Sequence, residues 1–141
     1  MVSADSSSSC GFVGEKNENL FDGGAPAGWV VRFQIGTAVY SIYHAGATGI
    51  FGDMGLINEL YEPNLCLLPI GGNFTMGPEE GAFAIKRFLT SCKTVIPMYF
   101  GTFPILTGTF EDFIKNLASN NLSQLTVVDS YKDALGKWIN I

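Results

Sequence analysis

Leu65-Cys66-Leu67-Leu68-Pro69-Ile70 is a continuous apolar run that lies between Pro63 and the pair Gly71-Gly72. A short apolar run without alternation is typical of a strand that is buried on both faces, as in a parallel sheet. Thr94 to Met98 is a second run of this kind, and Leu125 to Val128 is a third. We therefore predict that parallel strands form the centre of the fold.

Helical patterns lie before and between these strands. Asp53 is placed to cap a short helix that Pro63-Asn64 ends, and Pro78 fits the first position of a second helix. Thr109 to Asp112 resembles a capping box for a third helix, and Asp129 is placed to cap a fourth that runs through Trp138. The apolar residues at helical spacing are Met54, Ile57, Leu60 and Tyr61 in the first helix and Phe83, Ile85, Phe88 and Leu89 in the second.

The part of the chain before these elements has a different character. Residues 1–28 are rich in Ser, Gly, Asn and Ala, which predicts an irregular lead-in. Trp29 to Ile35 and Ala38 to Tyr43 are β-rich runs separated by Gly36-Thr37, a pattern that predicts a hairpin. Strands then alternate with helices, so we predict a single α/β domain over residues 1–141 with a largely parallel sheet.

Composition excludes several classes of function. The chain has 141 residues, a net charge of −5 and eight scattered Lys and Arg, whereas nucleic-acid binding needs clustered cations. No apolar run reaches the roughly 18 residues of a membrane span, and Met1 to Cys10 lacks the features of a signal peptide. Cys10, Cys66 and Cys92 have no metal-type spacing. We therefore expect no nucleic-acid or membrane partner and an intracellular, cytoplasmic protein with reduced thiols.

Three stretches of the sequence carry a family resemblance. They are Tyr43 to Met54 (YHAGATGIFGDM), Leu68 to Glu80 (LPIGGNFTMGPEE) and Val95 to Pro104 (VIPMYFGTFP). In order and spacing they resemble the metal-dependent hydrolases of the metallo-β-lactamase superfamily. The resemblance implies half of an αββα sandwich, the C-terminal half, as a mixed sheet with helices on one face.

The chain departs from this family at its metal-ligand positions. The family has an aspartate where this chain has Ala47, and histidines where it has Asn73 and Tyr99. The family pattern also suggests a histidine at the position of Ser6. The first metal motif of the family, His-x-His-x-Asp-His, is absent from this sequence. Together with His44, the chain's one histidine, these four positions form a candidate vestigial pocket.

These replacements are incompatible with the metals that the family implies, which are zinc, manganese or iron. Catalytic zinc usually takes three imidazole, thiolate or carboxylate ligands from the protein, with an activated water in the fourth place. Ala47 has no lone pair to donate, an Asn73 amide is a weak neutral ligand, and a Tyr99 phenol would first have to lose its proton. We therefore predict no cofactor, no metal ligands and no catalytic residues in this chain.

Other reactive side chains have structural interpretations. A lone histidine at a strand end is more often a hydrogen-bonded structural residue than a catalytic one, and this is our interpretation of His44. Asp53, Glu79 and Glu80 lie at helix starts, where carboxylates act as caps. A Ser6 nucleophile would have only one histidine as its base and no orienting acid. The loop from Tyr99 to Pro104 offers Tyr, two Phe and Pro either to an apolar pocket or interface or to simple packing.

The resemblance to half a fold implies association, because a sheet with helices on one face leaves the other face bare. We expect a homodimer through that face, or a partner chain that supplies the missing half. The favoured function is a non-catalytic protein that acts through a binding or assembly surface. The alternative is a metal-dependent hydrolase that is active only in complex with a chain supplying the missing ligands. A truncated product without a selected role is a third possibility.

Overall fold

The computed structural model describes residues 1–5, 10–13, 19–22 and 24–129. Their elements in chain order are β1 (Val2–Ser3), β2 (Cys10–Val13), β3 (Asn19–Asp22), β4 (Ala27–Ile35), β5 (Ala38–His44), α1 (Met54–Tyr61), β6 (Leu65–Pro69), α2 (Pro78–Arg87), β7 (Thr94–Met98), α3 (Phe110–Ser119) and β8 (Thr126–Val127). After the β4–β5 hairpin, strands alternate with helices, so the predicted α/β class is confirmed.

Six of the strands form one mixed sheet in the order β1-β4-β5-β6-β7-β8. β1, β4 and β5 pair antiparallel, whereas β5 to β8 are parallel to one another. The hairpin between β4 and β5 runs in register from Trp29 opposite His44 to Ile35 opposite Ala38. Gly36 lies in its turn at a φ of 61°, a left-handed conformation that favours glycine.

The three helices cover one face of this sheet. Tyr43, Cys66, Leu68 and Val95 point from the central strands into the hydrophobic core. The helices contribute Met54 and Ile57 from α1, Ala82, Ala84 and Ile85 from α2, and Phe113 and Leu117 from α3. Burying these side chains against each other is the main stabilising term of the fold. The predicted mixed sheet with helices on one face is confirmed.

The opposite face of the sheet, which we call the open face, carries no charge at any described strand position. Side chains that are paired across neighbouring strands share a face, so the strand register identifies its members. They are Ser3, Ala27, Trp29, Val31, Phe33, Ile35, Ala38, Tyr40, Ile42, His44, Leu65, Leu67, Pro69, Thr94, Ile96, Met98 and Thr126. Trp29 is 54% exposed and Val31 53%. Ile42, Leu67, Ile96 and Met98 are half-buried, and Leu65, Pro69 and Thr94 are buried.

Two helices begin as the sequence predicts. Pro78 opens α2, and the Glu80 carboxylate accepts a hydrogen bond from the Gly77 N–H at 3.0 Å. In α3, the Thr109 hydroxyl oxygen accepts from the Asp112 N–H at 3.1 Å and the hydroxyl donates to the Asp112 carboxylate at 2.8 Å. Hydrogen bonds from Thr109 and Lys115 lower the pKa of the Asp112 carboxyl. Asp53 precedes α1 but makes no side-chain capping hydrogen bond, so its predicted capping role is wrong.

Other details differ from the sequence prediction. The lead-in is not wholly irregular, because β1, the paired strands β2 and β3, and the start of β4 lie within residues 1–28. Leu60 is 68% exposed and Phe83 is 48% exposed, because each lies on the outer side of its helix. The helix predicted from Asp129 to Trp138 falls almost entirely on residues 130–141, which are outside the described residues.

Two buried hydroxyls, those of Ser41 and Tyr43, lack a hydrogen-bond partner in the described part of the chain. The Tyr43 side chain is fully buried, and its hydroxyl oxygen has no such partner. Burial, with a smaller contribution from Cys66, raises the pKa of this phenol above its ordinary value. A buried hydroxyl without a partner loses its bonds to water and gains nothing in return.

Replacing Tyr43 by Phe should therefore raise the free energy of unfolding by about 1 kcal/mol, because it removes this penalty and keeps the ring. Urea unfolding would measure the change. Tyr61→Phe, which changes a half-buried tyrosine of α1, serves as the control and should stay within about 0.5 kcal/mol of wild type. A clear loss of stability in Tyr43→Phe would show that the hydroxyl has a partner.

Candidate functional site

Three loops meet at the carboxyl ends of the parallel strands, the edge where α/β folds place their sites. They follow β5 (residues 45–53), β6 (70–77) and β7 (99–109). The Met76 N–H donates to the Thr48 carbonyl at 2.9 Å, which joins the first loop to the second. The Gly108 N–H donates to the Gly71 carbonyl at 3.0 Å, which joins the second to the third.

The structure places three of the predicted pocket residues in these three loops. Ala47 lies in the first loop, Asn73 in the second and Tyr99 in the third, and all three are exposed. Asn73 has a φ of 53° and Tyr99 a φ of 60°, both in the left-handed region. That conformation is uncommon for a residue with a side chain, and above all for a bulky one such as Tyr99. Backbone of this kind also occurs at Glu62 and Asn121, at the ends of α1 and α3, so it is not confined to these loops.

The region around Ser6 can be described only through its neighbour, because residues 6–9 are outside the described residues. The Asp5 N–H donates to the Thr48 hydroxyl oxygen at 2.8 Å, and the Gly49 N–H donates to the Asp5 carbonyl at 2.6 Å. Thr48 is fully buried, so these bonds anchor the chain before Ser6 to the loop after β5.

His44 ends β5 on the open face, directly opposite Trp29. Its Nδ1 accepts a hydrogen bond from the Gly46 N–H at 3.1 Å. Gly46 has a φ of 74°, so this bond holds a tight left-handed turn immediately after the strand. The imidazole thus contributes a hydrogen bond to the first loop.

The residues at the ligand positions do not fit the metals that the fold family implies. Ala47 offers no donor atom, and the Asn73 side-chain nitrogen is already donating to the Ile105 carbonyl. Within the described ranges, no group of three or more His, Cys, Asp or Glu side chains has an arrangement that could hold a metal ion. The donor set therefore lacks the anionic and imidazole ligands that a catalytic metal requires.

An open cleft of about 520 Å³ lies beside Asn73, between the second loop and the starts of α2 and α3. Its carboxylates are Glu79, Glu80 and Asp112. Glu80 accepts from the Gly77 N–H and Asp112 from Thr109 and Lys115, so both are committed to the helix starts. Glu79 lies in the first turn of α2, where a negative charge is favourable.

Exposed apolar side chains surround the loops. Tyr99 is 46% exposed and Phe103 65%, whereas Phe100 is buried and stacks on Phe110. The sequence prediction did not include Phe74 and Ile105, which are 58% and 55% exposed. The signal for Phe74 was its place among Gly, Asn and Thr, because an apolar residue within a polar loop often faces solvent or a partner.

The chain has relatives of known sequence, although no protein-family model matches it. It is 52% identical over 93 residues to a UPF0173 metal-dependent hydrolase of Methanosarcina barkeri, covering 66% of this chain and 38% of that protein. It is 40% identical over 114 residues to a UPF0173 metal-dependent hydrolase of Cupriavidus metallidurans, covering 81% and 38%. The chain thus spans well under half the length of these relatives.

Solved structures give the same class of protein. Igni18, a metallo hydrolase of Ignicoccus hospitalis, matches with a TM-score of 0.63 and 38% identity over 77% of this chain and 45% of that one. An isothiocyanate hydrolase from Delia radicum gut bacteria shares the fold, with a TM-score of 0.57 and 14% identity over 75% of this chain and 43% of that one.

The fold and the loop arrangement thus define a partial metallo-β-lactamase fold, with Ala47, Asn73 and Tyr99 brought to one edge of the sheet. The chain is similar to the UPF0173 metal-dependent hydrolases over most of its own length. Among the described residues, no helix combines the length and hydropathy needed to cross a membrane.

The convergence of the loops depends on Gly71, because a Cβ at this position would collide with the Tyr99 carbonyl oxygen. Gly71→Ala should lower the free energy of unfolding by about 2 kcal/mol or more, since backbone would have to move. Gly52→Ala is the matched control, because its Cβ would meet nothing within 4 Å. Urea unfolding compares the two, and equal stability of both variants would contradict this packing.

Proposed function

We propose that this chain is a non-catalytic relative of the metal-dependent hydrolases and that it acts through a binding or assembly surface. One observation carries the proposal. Hydrogen bonds hold the three loops together, and by the resemblance Ala47, Asn73 and Tyr99 stand where the family has its metal ligands. Without a metal to acidify a bound water, the family's hydrolysis lacks its nucleophile at neutral pH.

The open face is our candidate for that surface. It presents large apolar side chains without a charge, whereas the solvent-facing side of a sheet normally carries polar residues. A second copy of the chain is a suitable occupant, because two uncharged faces can meet about a two-fold axis without like charges opposing each other. A partner chain that supplies the missing half of the sandwich is the other occupant we consider.

A metal-dependent hydrolase that is active only in complex is the alternative function. It is favoured by the names of the relatives and by the fact that the chain spans 38% of two of them. A partner carrying His-x-His-x-Asp-His would then supply most of the ligands. Such a site would have to tolerate Ala47, Asn73 and Tyr99, which is why we prefer the non-catalytic function.

We also propose an intracellular location. Cys66 and Cys92 are free thiols that lie in the core, and the Cys92 thiol donates to the Thr94 carbonyl at 3.2 Å. Reduced cysteines without a disulfide are characteristic of the cytosolic compartment.

Metal analysis of the purified chain tests the non-catalytic proposal. We expect no stoichiometric zinc, manganese or iron, and one bound ion per wild-type chain would refute the proposal. The variant Ala47→Asp/Asn73→His/Tyr99→His restores three ligands, so calorimetry should detect zinc binding in it if the three positions converge. The single variant Asn73→His, with one added imidazole, is the control and should bind far more weakly.

Hydrolase assays separate the two functions. Phosphodiester and lactone hydrolysis should be absent from the isolated chain with added zinc or manganese. Metal-dependent turnover that appears only in a purified complex with a second protein would favour the alternative, and turnover by the isolated chain would contradict both.

Size-exclusion chromatography with light scattering tests the open face. The wild-type chain should have at least twice its 15.2 kDa mass at micromolar concentration, and Leu67→Glu should have a smaller mass than wild type because it buries a charge in the contact. Ile114→Glu changes an exposed residue of α3 and should keep the wild-type mass. Mixing Leu67→Glu with Leu67→Lys should restore the wild-type mass. A wild-type monomer would contradict the proposed dimer.

A further inference from the structure

We propose that the outer edge of β4, residues 31–35, pairs antiparallel with the same edge of a second copy of this chain. β5 pairs with β4 along one side from Trp29 to Ile35. On the other side, within the described part of the chain, β1 pairs only with Ala27 and Gly28. The outer backbone groups of the remaining seven residues therefore have no strand partner there, and such an edge is a template for another strand.

The composition of this edge supports a strand as its occupant. Natural edge strands are usually protected from pairing by lysines, prolines, bulges or short length. Residues 29–35 (WVVRFQI) contain no proline and no lysine, and their only charge is Arg32. The pairing with β5 is continuous over all seven residues, so β4 has no bulge there. Val31 and Ile35 are 53% and 64% exposed, so a partner strand would bury apolar surface.

Symmetry limits the register of such a pair. A two-fold axis perpendicular to the sheet places one residue opposite its own copy, because opposed side chains must lie on the same face. An axis at Val31 would bring Ile35 of the second copy opposite Ala27, where β1 already pairs. An axis at Arg32 would set two guanidinium groups directly opposite each other, which is destabilising.

An axis at Phe33 avoids both conflicts. It places Val31 opposite Ile35 and Arg32 opposite Gln34, whose side-chain oxygen can accept a hydrogen bond from the guanidinium. It leaves the pairing of β1 with β4 intact. An axis further along the chain, at Gln34, would pair only residues 33–35 of each copy, because β4 ends at Ile35. The charge of Arg32 and the existing pairing of β1 with β4 thus favour an axis at Phe33.

This edge contact is separate from the proposed contact of the open face. It uses the backbone rim of β4, whereas the open face uses side chains of all the strands from β4 to β7 on one side of the sheet. The two contacts can therefore coexist in one assembly, and neither requires the other. The edge pairing likewise does not depend on whether the chain is catalytic.

Disulfide cross-linking of single-cysteine variants tests the register of the proposed β4 pair directly. In a Cys10→Ser background, Phe33→Cys, Arg32→Cys and Val31→Cys are each exposed to mild air oxidation with a copper–phenanthroline catalyst. Opposed residues of an antiparallel pair lie about 4.5–5.5 Å apart at their Cα atoms, a distance that a disulfide spans. The remaining Cys66 and Cys92 are buried, so they do not compete. We expect a covalent dimer from Phe33→Cys that forms roughly tenfold or more faster than from the other two.

Two further variants complete the test. The first of them keeps Phe33 and therefore its ring stack on Tyr40. Val31→Cys/Ile35→Cys should cross-link in the same register, because each cysteine would oppose the other in the second copy. Phe33→Cys in the Leu67→Glu background should still cross-link, which separates the edge contact from the open face. Fastest cross-linking at residue 31 or 32, equal rates at all three positions, or no covalent dimer in any variant would overturn the proposal.

Discussion

The structure depends on a difference between the two faces of its sheet, because helices cover only one of them over the described residues. Three helices pack their apolar sides on one face, and the side chains between them are almost fully withdrawn from water. Over the described residues the other face has strands of the same apolar character and no helix to cover it. Free energy gained by burial on the first face holds the fold, and apolar surface left on the second favours association.

The loops at the carboxyl edge follow from the same sheet. The carboxyl ends of parallel strands lie at the same edge of the sheet, so the chain segments after β5, β6 and β7 meet there. Hydrogen bonds between backbone groups, and a glycine packed against the Tyr99 carbonyl, fix how they meet. None of these contacts requires a metal ligand. Backbone contacts alone therefore bring these loops together.

Much of this fold could be predicted from the sequence. The run from Leu65 to Ile70 indicated a buried strand, because an unbroken apolar segment suits a sheet interior. Pro78 and Thr109 located helix starts through their backbone and capping chemistry. The exposure of Phe83 and the uncapped Asp53 could not be predicted, because both depend on how a helix is rotated and seated against the sheet.

The candidate site could also be predicted only in part, because its residues are visible in the sequence but its backbone geometry is not. The identities of Ala47, Asn73 and Tyr99 are visible in the sequence beside the family pattern, and their loops come from strands that the sequence indicates. The left-handed backbone at Asn73 and Tyr99, and the bond from Asn73 to Ile105, arise from contacts between distant segments. The open edge of β4 is likewise a property of strand order, which local patterns do not encode.

Solvent accessibility of side chains in solution tests the central claim, that the open face is covered in the working protein. Trp29 on the open face, outside the paired edge 31–35, is 54% exposed in the single chain, whereas Ile114 on the outer side of α3 is 38% exposed. A soluble paramagnetic agent would broaden side-chain resonances in proportion to their access to solvent. We expect the reverse order in the assembled protein, with the Trp29 indole protected and the Ile114 methyl groups broadened. Stronger broadening of Trp29 than of Ile114 would show that the open face is bare.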